Sequence, residues 1–345
     1  MSTDTSPRAS GRRPRLDLAS FVRLTELADY FIPFTIRAIS ELGIADLLID
    51  GPLPVTELAE RTDTHAPSLH RALRALASKG VFTEASPGTF GLTPLAELLR
   101  ADHPLSLKDA YHLMGADTAA WSQLEYTLRT GKPAFDHVNG AHLWDWLAER
   151  PEDCERFDRG MAAMTRPELL AVSGAYDWGA LGSIVDVGGG NGAFLAALLG
   201  RHRHLEGVLF DLPHVVAGAP ENLAGAGVSD RCRIVSGSFF DEVPSGGDAY
   251  VLKRIVYGWA DAEALELLKA VRRAMAPTSR ILLLEPVVGE PGDEFGSILD
   301  VVMLVVDGGR ARHRAELKDL LAAAGIELTR IIPTMMFPIV EGRPA

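Results

Sequence analysis

Cysteine, positive charge and long apolar runs are all scarce in this sequence, and each scarcity excludes something. Only Cys154 and Cys232 occur in 345 residues. No disulfide framework beyond one bridge can form, and neither cysteine has CxxC spacing. That usage fits a reducing, cytoplasmic setting. Lys and Arg number 34 against 46 Asp and Glu, a net charge of −12. The deficit argues against nucleic acid as a partner, because phosphate-backbone binding needs clustered cations. No segment approaches the roughly 20 unbroken apolar residues of a membrane span. Residues 1–15 are polar and basic, without the apolar stretch of a secretory signal. A secreted mini-protein, a membrane protein and a disordered regulator are therefore excluded. The remaining composition, 47% hydrophobic and 23% charged, is that of an ordinary soluble globular chain. Its length predicts about two domains at roughly 150 residues each.

The order of patterns along the chain divides it further. Residues 1–16, rich in Ser, Thr, Pro and Arg, read as a disordered tail. Residues 17–100 read as helices followed by a hairpin, the winged-helix pattern. Phe31, Phe34, Ile36, Ile39, Leu42 and Ile44 form an apolar succession with no water-facing side, expected to be buried against the rest of the chain or another subunit. Thr56 is expected to cap the next helix. Leu69, Leu73 and Leu76 share one face of a third helix. Two strands follow, Val81–Glu84 and Thr89–Leu92, around Ser86-Pro87-Gly88. A winged helix serves either DNA or a partner subunit, and the acidity of the chain favours the partner. Residues 101–170 read as a helical connector with interspersed aromatics, Trp121, Phe135, Trp144, Trp146 and Phe157 among them. Most are expected in the core, with some lining a flat pocket. From residue 171 to 345 strand-like and helical runs alternate, which predicts a doubly wound α/β sheet with a crevice at the C-terminal ends of its strands.

The sharpest motif lies in that last region. Val185-Asp186-Val187 ends a hydrophobic strand, Gly188-Gly189-Gly190-Asn191-Gly192 follows, and a helix opens at Ala193. Glycines in this setting permit a tight turn and close approach of backbone to ligand. Asp211 closes the next strand, where a carboxylate matches the paired hydroxyls of a ribose. An adenosine-type cofactor fits, and NAD and S-adenosylmethionine both satisfy this much. The i, i+2 pair His202-Arg203-His204 lies in a loop-like stretch and reads as solvated, and with no CxxC or HExxH run no metal is expected.

With four more segments the chain resembles a known family. These are Asp211-Leu212-Pro213, Gly237-Ser238-Phe239-Phe240, Lys253-Arg254-Ile255-Val256-Tyr257-Gly258-Trp259 and Gly308-Gly309-Arg310. Phe157-Asp158-Arg159-Gly160-Met161 matches the family's segment before the cofactor domain. Together they resemble class I S-adenosylmethionine-dependent O-methyltransferases with an N-terminal winged-helix dimerisation domain. That group includes plant caffeate and flavonoid enzymes and bacterial enzymes that tailor anthracyclines and other polyketides. The resemblance implies a Rossmann-like S-adenosylmethionine-binding sheet behind a mainly helical dimerisation domain, a cytoplasmic homodimer, and an aromatic or polyketide-type secondary metabolite as substrate. Carried over residue by residue, it implies a cofactor site of Asp186, Gly188, Gly190, Asp211, Leu212, Ser238, Phe239, Lys253 and Trp259. Ser238 stands where the family usually has an acid, so it accepts a hydrogen bond without charge assistance. The implied substrate pocket holds His112, Trp121, His142, Phe157, Met161 and Met303.

The catalytic positions depart from the family. Many relatives carry His-Asp-Trp where this chain has Tyr257-Gly258-Trp259, and the His is their general base. An ordinary Tyr, with a pKa near roughly 10, is a poor base at neutral pH. Glu285 matches the first of two supporting carboxylates, and the second falls on Ala311. Tyr257, Glu285 and His313 are the residues expected beside the reacting oxygen. Three explanations stay open. The substrate is acidic enough that alignment supplies most of the acceleration. Another residue, His112, His142 or His313, is the base. Or the fold serves a non-methylating reaction such as hydroxylation, decarboxylation or pericyclic closure.

Overall fold

Apolar spacing and glycine breaks shape the first of two compact units, which divide the chain between Ala96 and Glu97. The structure, a computed structural model, describes residues 17–111, 115–289 and 294–345. The first unit contains α1 (Leu18–Leu27), α2 (Phe31–Glu41), α3 (Val55–Thr62) and α4 (Ala66–Ser78). A three-stranded antiparallel sheet completes it: β1 (Leu53–Pro54), β2 (Phe82–Ser86) and β3 (Thr89–Leu92), in the order β1-β3-β2. Leu69, Leu73 and Leu76 are buried on α4, as their spacing predicts. Gly88, at φ 75°, turns the hairpin.

Two local expectations need correction. Thr56 does not cap α3; the helix begins two residues earlier, at Val55, with extended Pro54 at the N-cap, because Pro fixes φ for a helix entry and needs no N–H there. The apolar succession of residues 31–44 is not one buried helix. Gly43, at φ 67°, ends it after α2, and only Ile39 and Ile44 of the six are buried. Phe31 is 66% exposed and Phe34 40% exposed, and α1 buries none of its residues. Leu18, Phe21, Leu24 and Leu27 add to this open apolar face, the kind of surface that marks an interaction site.

The second unit begins with helices, among them α5 (Gly115–Trp121), α6 (Ala134–Asn139), α7 (Leu143–Ala148) and α8 (Pro151–Ser173). Its sheet uses β4 (Ser183–Val187), β5 (Glu206–Asp211), β6 (Cys232–Ser236), β7 (Ala249–Lys253) and β8 (Arg280–Leu284). A short parallel pair, β9 (Val287–Val288) and β10 (Arg312–His313), lies apart from it. β11 (Ile326–Ile332) and β12 (Ile339–Pro344) close one edge. The seven strands run β11-β12-β8-β7-β4-β5-β6, and only β12 is antiparallel to its neighbours. Helices α9 (Ala193–Arg201), α10 (Asp261–Ala274), α11 (Glu294–Val306) and α12 (Arg314–Ala323) complete the unit.

The central strands read as near-continuous apolar runs because both faces are covered. Alternate residues point to opposite faces. Ile184, Val251 and Leu282 pack with Phe194, Leu195 and Leu198 of α9 on one side. Val185, Leu252 and Leu283 pack with Leu267 and Val271 of α10 and Leu317 of α12 on the other. The chain steps outward from β4 to β5 and β6, then crosses to β7 and β8. That reversal between β4 and β7 sets a crevice beyond their C-terminal ends, where the glycine loop, Asp211 and Lys253 emerge.

Candidate active site

Three glycines of the loop after β4 adopt the left-handed backbone, Gly188 at φ 71°, Gly190 at 63° and Gly192 at 80°. Gly189 is required for a different reason. A Cβ there would lie 2.5 Å from Leu209 Cδ1 and 2.6 Å from Asp186 Oδ2. The loop thus lies directly on the Asp186 side chain. No Cβ contact would arise within 4 Å at Gly190, so that backbone is open to a ligand. The Gly190 N–H donates to Asp211 Oδ2 at 2.8 Å, and the Leu212 N–H donates to Asp211 Oδ1 at 2.7 Å. Both Asp211 oxygens are thereby oriented, and each retains a lone pair for a hydroxyl donor.

Asp186 is 1% exposed, and neither carboxylate oxygen has a hydrogen-bond partner among the described residues. Burial pushes its pKa up, opposed by the Lys253 ammonium. A buried, undonated carboxylate is costly unless it meets a cation. Lys253 answers only in part. Its Nζ, at the end of β7, donates to Glu168 Oε2 at 3.1 Å and Thr165 Oγ1 at 3.2 Å on α8. Burial and the adjacent Arg254 hold Lys253 below its ordinary value. Arg254 Nε faces Glu168 Oε1 at 3.2 Å, off the hydrogen-bond axis, and an Arg254 amine donates to the Met161 carbonyl at 3.3 Å. Arg254 itself holds φ 59°, strain for a residue with a Cβ. On the far side of the crevice Phe239, Phe240 and Trp259 form an edge-on cluster with ring centroids 4.8–5.9 Å apart. Leu212 is exposed, and Ser238 Oγ accepts from the Phe240 N–H at 3.2 Å.

Tyr257 and Glu285 are brought together. Glu285 Oε2 accepts the Tyr257 backbone N–H at 3.2 Å. Glu285 is 1% exposed, and burial raises its pKa to about 7 against the pull of Arg312. Burial pushes the Tyr257 phenol up to about 12. Arg312, 2% exposed, donates to the Val256 carbonyl at 3.1 Å, the Trp259 carbonyl at 2.8 Å and Asp261 Oδ1 at 2.9 Å. It clamps the loop that carries Tyr257. Gly309 makes the same loop fit, because a Cβ on it would fall 2.4 Å from the Tyr257 carbonyl oxygen. At Ala311, where a second carboxylate was expected and missing, the backbone N–H donates to Asp300 Oδ1 at 2.7 Å.

The histidines part ways. His313 lies at the N-cap of α12, exposed, with Nδ1 2.9 Å from the Val288 carbonyl oxygen. His142 Nε2 lies 3.3 Å from both the backbone oxygen and Oδ1 of Asp307. His112 lies outside the described residues. Trp121 and Phe157 pack around Phe135, Leu143, Trp146, Val305 and Val306, and Trp144 meets Phe157 edge-on at 5.6 Å. Met161 contacts Arg254, and Met303 is half-buried on α11. Sequence reasoning missed Glu168, Asp307 and Arg312. The one readable signal was for Asp307, a carboxylate that ends an apolar helix immediately before Gly308-Gly309.

A glycine loop over a buried acid, at the reversal point of a parallel sheet, defines an α/β enzyme that binds a nucleoside cofactor. Comparison with known proteins narrows the class. Residues 121–327 match the O-methyltransferase domain, and residues 25–102 match the O-methyltransferase dimerisation domain. Phenazine O-methyltransferase of Lysobacter antibioticus is 41% identical over 329 residues, 94% of this chain and 96% of that one. Aclacinomycin 10-hydroxylase of Streptomyces purpurascens is 35% identical over 315 residues, 89% of this chain and 84% of that one. An O-methyltransferase from neocarzinostatin biosynthesis, crystallised with S-adenosylmethionine and a naphthoic acid, has a TM-score of 0.80 at 34% identity, covering 93% of this chain and 98% of that one. The chain belongs to the O-methyltransferase family, with the family's dimerisation domain, and is an S-adenosylmethionine-dependent methyltransferase. Its buried, undonated Asp186 suits a cofactor that carries an ammonium and a sulfonium. Among the described residues, no helix is long and apolar enough to cross a membrane.

Proposed function

We propose that this enzyme, as a homodimer, methylates a hydroxyl oxygen of an aromatic or polyketide-type secondary metabolite. The observation that carries this reading is the run of α11. Its Val302, Val305 and Val306 pack into the aromatic cluster of Trp121, Phe135, Trp146 and Phe157. Asp307 follows directly, and its Oδ2 lies 3.3 Å from where a Cβ on Gly258 would stand. This aromatic core is thereby joined to the Tyr257–Glu285 corner, and its partly buried members, Trp121 and Phe157, would present a flat face to the acceptor. Asp186 and the glycine loop would hold the cofactor's cationic end, Asp211 its ribose, and Phe239 and Leu212 its adenine. The cofactor, when bound, supplies an electrophilic methyl group. The protein's part is alignment of the acceptor oxygen, and alignment removes much of such a barrier. Tyr257, protonated through the neutral range, orients the acceptor by hydrogen bond. The open apolar face of α1 and α2 supports the homodimer.

A second reading, in which the cofactor's methyl group is retained, draws support from Tyr257 in place of a histidine base and from the hydroxylase relative. Mass spectrometry of reactions with S-adenosylmethionine and a panel of hydroxylated naphthoates, phenazines and anthraquinones decides between them. A product one CH2 heavier, formed in step with S-adenosylhomocysteine, is the expected result. A product that gains oxygen or loses carbon dioxide, without S-adenosylhomocysteine, sinks the first reading.

A further inference from the structure

The acceptor hydroxyl must lose its proton, and the expected residues do not take it. Tyr257 keeps its own proton through the neutral range. Glu285 is enclosed and held by backbone donors and Arg312. His313 lies on the Val288 carbonyl. The remaining described candidate is His142, and its surroundings are built rather than incidental. Its Nε2 hydrogen-bonds the Asp307 backbone oxygen at 3.3 Å, and Asp307 Oδ1 lies at the same distance off the hydrogen-bond axis. The Asp307 side chain is 6% exposed, whereas the His142 ring is 34% exposed and open to exchange a proton. Glycine at 258 leaves the room that Asp307 occupies. The neighbours of His142 are Leu143 and Trp146 of the aromatic cluster.

We propose that His142, oriented by Asp307, is the general base of the transfer. This rests on the methyl-transfer reading above. The Asp307 backbone oxygen fixes the tautomer by accepting from Nε2–H, its carboxylate lies alongside at ion-pair distance, and the Nδ1 lone pair is left for the substrate. The substrate O–H bond breaks toward Nδ1 as the oxygen's electron pair forms the new O–CH3 bond. The C–S bond breaks with its electron pair retained by sulfur, which departs as a neutral thioether. The imidazolium, paired with Asp307, then returns its proton to water. Among the described residues, the carboxylates that interact with His142 are Asp136 on α6 and Asp307 after α11, while Asp145, on the helix that His142 caps, faces Asp136. Asp307 is itself raised to about 6 by burial, with His142 opposing.

The test has two arms on the full-length enzyme. In the first, single-turnover transfer from S-adenosylmethionine to 1,4-dihydroxy-2-naphthoate is followed against pH. His142→Gln should lower the rate about 10²–10⁴-fold and abolish the acid limb of the profile, as expected for loss of a general base. Cofactor affinity by calorimetry should be unchanged. In the second arm, the His142 tautomer is read from imidazole nitrogen NMR shifts in the S-adenosylhomocysteine complex. The Nε2–H form, with Nδ1 unprotonated, should predominate. A wild-type rate and pH profile in His142→Gln overturns the proposal, as does a predominant Nδ1–H tautomer. Absence of transfer by the wild type falls on the methyl-transfer reading, and the tautomer still decides the orientation of His142.

Discussion

Two buried carboxylates, Asp186 and Glu285, stand at opposite ends of the site, and their surroundings differ in kind. Each is 1% exposed, and burial raises each. Asp186 receives no hydrogen bond from the described protein, while Glu285 receives the Tyr257 N–H and lies near the clamped Arg312. A carboxylate left without donors is matched to a cation that arrives with the ligand. One already supplied with donors organises the chain. The cofactor end is thus incomplete until it is filled, and the acceptor end is assembled in advance.

Three substitutions can break or sharpen that contrast. The largest effect is expected from Arg312→Ala, which leaves the Val256 and Trp259 carbonyls without this donor and the buried Glu285 without its neighbouring cation. Removing one partner of a buried ionic network costs about 3–5 kcal/mol. Chemical denaturation should show that loss, and affinity for S-adenosylmethionine near the folded optimum should barely change. Equal loss of cofactor affinity would dissolve the distinction between the two ends.

Glu285→Gln comes next and carries a sign. Because the folded-state pKa of Glu285 is about 7 against 4.5 unfolded, the folded form holds this proton more tightly. Its ionisation therefore costs stability as pH rises from 4.5 to about 7, and the cost is constant above that. At about 1.4 kcal/mol per pKa unit, the Gln variant should gain up to about 3 kcal/mol at pH 8 and nothing below pH 4.5. Melting curves across pH check this, and a pH-independent difference would contradict it.

Asp186→Asn should weaken S-adenosylmethionine binding by about 2 kcal/mol, roughly 30-fold, the scale of a charge-assisted contact. The wild-type affinity should climb as pH rises through the raised native pKa of Asp186, since a cation prefers the ionised acid. Calorimetric titration of the Asn variant should lose that slope. An unaltered affinity would mean that Asp186 serves only packing.

The cofactor end was largely legible in the sequence because its parts are adjacent. Asp186 through Gly192 lie in one loop, and Asp211 follows at the next strand end, so spacing alone aligns them. The acceptor end was legible only in part: Tyr257, Glu285 and His142 were named, but Asp307 after α11 and Arg312 from β10 come from distant elements that no local spacing joins to them. Nothing local distinguishes Arg312 from the neighbouring Arg310 and Arg314, and only tertiary packing buries it. The exposure of Phe31 and Phe34 was hidden for the opposite reason. An apolar helix predicts burial, but the sequence does not say which surface supplies the cover.

Gly258 carries a consequence for how this site can change over generations. A side chain there would begin 3.3 Å from Asp307 Oδ2. Restoring the usual His-Asp-Trp triplet would therefore place a second carboxylate against Asp307, where like charges repel and desolvation compounds the cost. Asp307 would have to be lost first, and His142 would lose its partner with it. The glycine at 258 and the carboxylate at 307 are thus coupled positions, and a change at one carries a cost set by the other.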